Sequence, residues 1–99
     1  MSYQVVVTFD LVNASSDNYQ CVREELSSMG LYNFVFGRHD TIVDLPHNTF
    51  VGDLYGSHVD EIRDSIRSQM QNAFRRCGVR GPILVTVGGP ESTWGTITV

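Results

Sequence analysis

Val59, Ile62, Ile66, Met70, Ala73 and Cys77 recur at three- and four-residue steps and stop at Gly78, the signature of a long helix with one apolar stripe. Such a stripe cannot stay exposed to water, so the rest of the 99 residues must supply the surface that covers it. Val5, Val7 and Phe9, alternating with Val6, Thr8 and Asp10, read as a strand with one face committed to a core. A chain of this length buries only about two-thirds of its unfolded surface, so the core is expected to be thin and a second copy would relieve the shortage.

The other elements follow from the same periodicities. Ser15, Ser16 and Asp17 are cap candidates for an earlier helix, along which Tyr19, Val22, Leu26 and Met29 recur until Gly30. Residues 31–36 read as a strand, 37–48 as a long polar connection and 49–55 as a further strand with Phe50 and Leu54 on one side. Ser57 with Asp60 makes a capping-box-like start for the long helix. Residues 82–87 read as a short apolar strand, 88–90 as a turn and 93–99 as a terminal strand. The order predicts one α+β domain over 1–99: a ferredoxin-like βαββαβ motif with a mostly antiparallel sheet, two helices on one face and an extra C-terminal strand. Its open face would carry Val6, Thr8, Asp10, Leu84 and Thr86, too apolar a surface for water, and a homodimer is the expected cover.

Composition narrows the function classes. Seven basic residues, none of them lysine, face eleven acidic ones for a net charge of −4, so no global field draws the chain to nucleic acid or to an anionic membrane. Nucleic-acid contact would have to be local. No apolar run approaches the roughly 18 residues of a membrane span. Met1-Ser2-Tyr3 leads into strand pattern without a signal-peptide layout, and the expectation is a cytoplasmic protein. Cys21 and Cys77 show neither CxxC nor metal-ligand spacing, so they are expected as reduced thiols, neighbours on antiparallel helices.

Asp10, at the exit of the first strand, is the main candidate for chemistry. A two-fold axis would double its carboxylate, and two carboxylates with waters suit magnesium, which could polarise a phosphate or activate a water. The plainer reading is an Asx-type turn that ends the strand. Asp40, Asp44 and Asp53 with His39 and His47 form a second cluster if the 37–48 connection folds them together, though their spacing matches no metal motif and a solvated loop accounts for them. His58 sits beside the cap of the long helix and is expected to be exposed. Arg75, Arg76 and Arg80 are the one basic concentration. They either complement the negative end of the helix dipole or contact phosphates, with Arg38 joining if the loop allows. Trp94, Tyr3, Tyr32 and Tyr55 could stack on bases, but no basic residues are interleaved with them, and Trp94 reads better as an anchor for the tail. Gly88-Gly89-Pro90 is a turn, since no helix follows it to hold a phosphate. The HExxH and GxSxG motifs are absent.

Val-Val-Thr-Phe-Asp at residues 6–10, the open sheet face, two amphipathic helices and a tail after Gly88-Gly89 resemble the small CRISPR-associated endonucleases and the related VapD ribonuclease toxins. Leu45-Pro46-His47-Asn48-Thr49 through Gly88-Gly89 and Ser92-Thr93-Trp94-Gly95 is most similar to the SinR-like members of that set. The resemblance implies a homodimer whose strand-one aspartates, here Asp10, face each other and share a magnesium ion. Two functions follow. One is a magnesium-dependent nuclease acting on RNA or DNA, with Asp10 as catalytic residue and metal ligand and Arg75, Arg76 and Arg80 on the nucleic acid. The other is a non-catalytic homodimeric assembly or partner-binding module of the same fold, which the acidic charge and the missing lysines favour.

Overall fold

A computed structural model describes residues 1–89, 91, 93 and 95–97. The chain is α+β, with two helices and antiparallel sheets: β1 (Ser2–Phe9), α1 (Ser16–Ser28), β2 (Phe34–Phe36), β3 (Ile42–Asp44), β4 (Thr49–Tyr55), α2 (Val59–Cys77) and β5 (Ile83–Gly88). One sheet has the order β4-β1-β5, and β2 and β3 form a separate two-stranded ribbon. A single bridge, Tyr32 to Val51, ties the chain leading into β2 to the outer edge of β4. The arrangement is compatible with a ferredoxin-like fold.

Helix α1 starts where the polar run allows it. The Ser15 hydroxyl accepts the Asn18 N–H at 3.2 Å while the Ser15 N–H donates to Asn18 Oδ1 at 3.0 Å, a reciprocal box that satisfies donors the first turn leaves open. Helix α2 is capped by His58 itself: its Nδ1 accepts the Asp60 N–H at 3.3 Å, and Ser57 reaches along to Glu61 instead. Gly78, at φ 66°, closes α2 in the left-handed conformation that glycine adopts without a Cβ penalty.

The stripe found in the sequence is the buried face of α2. Ile62, Ile66, Met70, Ala73, Phe74 and Cys77 are buried, and with Val22 and Leu26 of α1 they cover Tyr3, Val5, Val7 and Phe9 of β1. Phe9 sits at the centre, stacked on Phe50 and edge-on to Phe74. Gly52 lets the turn after α1 lie against β4, because a Cβ there would overlap the Gly30 carbonyl oxygen.

Three expectations change. The strand expected over 31–36 is ordered as a strand only over Phe34–Phe36, and the expected polar connection 37–48 holds strand β3. The peptide turns at Arg38–Asp40, with His39 and Asp40 at positive φ, and returns Ile42–Asp44 along β2. Alternation over only three residues gives too little periodicity to separate a strand from a loop. The cysteines are neighbours as expected, but their expected reduced state is corrected: Cys21 and Cys77 form a disulfide, with Cα atoms 5.7 Å apart. Antiparallel packing sets the first turns of α1 against the last turn of α2, where Asn18 also donates to the Cys77 carbonyl at 3.2 Å. The expected terminal strand over 93–99 falls partly outside the described residues, and described residues 93 and 95–97 carry no strand pairing.

Candidate functional site

Alternation along β1 sends Tyr3, Val5, Val7 and Phe9 to the helices and Gln4, Val6 and Thr8 to the opposite face, which no helix covers among the described residues. Cross-strand register builds that face row by row. Thr86, Val6, Val51 and Tyr32 stand side by side across four segments, with Leu84, Thr8 and Thr49 in the next row. Leu84 is 62% exposed, Tyr55 84% and Tyr32 42%, so large apolar side chains are exposed at the margins of this face, while Gln4 and exposed Asp53 form a polar row between Val51 and Tyr55.

Asp10 extends this face at its end. Its N–H donates to the Pro82 carbonyl at 3.2 Å, continuing the β1–β5 ladder one step beyond β1, and its side chain is exposed. Gly81, at φ 156°, permits the close approach, since a Cβ there would overlap the Asp10 carbonyl oxygen. The site thus rests on a backbone contact between the exit of β1 and the entry to β5. One protomer supplies one exposed carboxylate here, too few for magnesium without a second ligand set.

The second expected cluster does not assemble. His39 and Asp40 form the tip of the β2–β3 ribbon, Asp44 ends β3, and Asp53 stands opposite Gln4 within the main sheet. His47 lies against the Tyr19 ring, with centroids 5.4 Å apart. No group of three His, Cys, Asp or Glu able to hold a metal occurs among the described residues. Tyr3 leaves the stacking set because it is buried on the helix side, while Tyr32 and Tyr55 stay exposed on the open face. Trp94 lies outside the described residues.

The arginines divide. Arg76 forms a two-pronged pair with Glu25, at 2.9 and 2.7 Å, which bridges α2 to α1 beside the disulfide. The Arg76 hydrogen bonds hold the Glu25 carboxyl below its usual range. Arg75 and Arg80 instead line a groove of about 1000 Å³ between α2 and β5, together with Arg63 and Arg67. Sequence reading missed those two because they lie two and three turns back on the same helix face, a spacing that shows only once the edge it borders is known. Arg63 donates to Asp64 at 3.0 Å and reaches Asp60 at 3.4 Å, and its hydrogen bond lowers the Asp64 pKa. Arg75 and Arg80 make no ion pair among the described residues. Arg38 is remote from this groove, in the ribbon turn.

No protein-family model and no curated protein matches the chain. Among the described residues no helix is long and apolar enough to cross a membrane.

Proposed function

We propose that the chain is a homodimeric binding module of ferredoxin-like βαββαβ architecture, with the uncovered face of the β4-β1-β5 sheet as its self-association surface. One observation carries the reading: the row Thr86, Val6, Val51, Tyr32, with exposed Leu84 in the row beside it, is a largely apolar strip on a protein short of core. A two-fold axis through that strip makes the same patch meet itself, as isologous dimers require. Thr86 is exposed at the β5 end of the row, so Thr86→Glu would bury a charge from each copy in the interface without touching the core. The expected result is a dimer for the parent chain and a folded monomer for the variant; a monomeric parent would remove the reading.

A second reading is favoured by the position of Asp10 on that same face. Packing face to face about a two-fold axis at this end of the sheet would bring two Asp10 carboxylates together, and a magnesium ion held between them supplies Lewis-acid chemistry toward a phosphodiester. This is the metal-dependent nuclease reading, and the resemblance to CRISPR-associated, VapD-like and SinR-like proteins belongs to it. Asp10 would hold the ion, and Arg75 and Arg80 would meet the substrate backbone. Without the ion the paired carboxylates repel, so Asp10→Asn should leave the metal-free dimer as stable or more so and abolish any magnesium-induced rise in Tm. Cleavage of a mixed RNA and DNA panel with magnesium, lost in Asp10→Ala, would establish the activity. An unchanged magnesium response in Asp10→Asn would remove it.

A further inference from the structure

We infer that the groove between α2 and β5 takes an acidic, extended polypeptide segment of a partner protein, which adds to β5 as a new edge strand. The inference goes beyond the self-association reading, because it uses the edge of the sheet and the helix side rather than the open face.

Among the described residues, hydrogen bonding along β5 leaves one side unused. Arg80 and Pro82 give their carbonyls to Val12 and Asp10, so in the same register Leu84, Thr86 and Gly88 turn their backbone toward β1. The alternate residues Ile83, Val85 and Val87 therefore direct N–H and C=O away from the sheet. Among the described residues β5 pairs with β1 alone. Soluble proteins usually blunt such an edge with lysine, an inward charge, proline or a bulge, yet the strand reads Ile-Leu-Val-Thr-Val-Gly and carries none of these.

Beside this edge runs the arginine groove. Its floor is Met70, Phe74, Val79, Ile83 and Val85, and four of the seven basic residues of an acidic protein stand along it, against Asp64 as the one acidic lining residue. From Arg63 to Arg75 the helix advances about 18 Å, which matches five to six residues of strand at roughly 3.3 Å each. A peptide laid there would gain main-chain hydrogen bonds from Ile83, Val85 and Val87, apolar contact from the floor and charge complementarity from Arg75 and Arg80. Arg63 and Arg67 already share Asp64, so the two arginines at the other end are the expected anchors.

The probe is a fluorescent ten-residue peptide alternating glutamate and valine, which presents either set to the groove by a one-residue shift. It is titrated into the full chain beside the lysine-valine analogue and a ten-nucleotide single-stranded RNA. Tight binding of the acidic peptide alone is expected, weakened about tenfold or more by the double change Arg75→Ala and Arg80→Ala and by added salt. Hydrogen exchange supplies the signature of strand addition: the peptide should protect the amides of Ile83, Val85 and Val87, while Leu84 and Thr86, already bonded to β1, change little. Val85→Pro removes an outward N–H without breaking the β1 ladder, and should abolish binding while the fold survives. Binding of RNA but not peptide, or peptide binding without new protection at Ile83, Val85 and Val87, would overturn the inference.

Discussion

Reducing the Cys21–Cys77 bond should cost this small domain a large part of its stability. The bond joins residues 56 apart in sequence. Closing a loop of that length in the unfolded chain corresponds, on the chain-entropy relation, to about 4 kcal/mol at 25 °C. Domains of this size are stable by only about 5–15 kcal/mol in total, so the reduced protein should unfold at a markedly lower denaturant midpoint. The slope of the transition should steepen as well, because an unfolded chain freed of its cross-link exposes more surface. Urea unfolding of oxidised protein, of reduced protein and of the Cys21→Ala, Cys77→Ala double variant measures this, with thiol titration confirming the redox state of each sample. Protein purified without reductant should show no free thiol, which would contradict the cytoplasmic expectation drawn from the N-terminal sequence. Two free thiols, or reduced and oxidised samples agreeing within about 0.5 kcal/mol, would refute the reasoning.

Leu26 is fully buried between α1 and the sheet, so Leu26→Ala should lose about 3 kcal/mol, read as a drop in Tm of roughly 10–20 °C. The Glu25–Arg76 pair predicts acid sensitivity: the Glu25 pKa is lowered in the folded chain by the Arg76 hydrogen bonds, so the pair's stabilisation is present above the ordinary glutamate range and disappears as pH falls through the lowered folded value. Melts from pH 7 downward should therefore show a smaller acid-induced loss in Arg76→Ala than in the parent, and equal losses would dismiss the pair.

Where a pattern was long, the residues announced the structure. Six positions at helical spacing defined α2 and its buried side, and three alternating apolar residues oriented β1. Phe74 escaped the α2 stripe because it widens an already sufficient face, yet it packs edge-on to Phe9 at the centre of the core. The ribbon of β2 and β3 was illegible because three residues per strand are fewer than two full alternations, and its turn uses His39 and Asp40 at positive φ where glycine would have been the usual signal. Cys21 and Cys77, 56 apart in sequence, were legible as neighbours on antiparallel helices, but without CxxC spacing nothing in the residues signalled that they are bonded. Of the three arginines marked at the end of α2, only Arg75 and Arg80 share a surface, because Arg76 lies on the side that meets Glu25. Arg63 and Arg67 joined them only once β5 was seen to border the same helix face.

Sedimentation velocity of the full chain at micromolar concentration, beside Thr86→Glu, addresses the self-association surface most directly. A parent species of twice 11.1 kDa, with the folded variant at 11.1 kDa, is the predicted result. A parent that sediments only as a monomer, or a variant that remains dimeric, would contradict the open sheet face as the place where two copies meet.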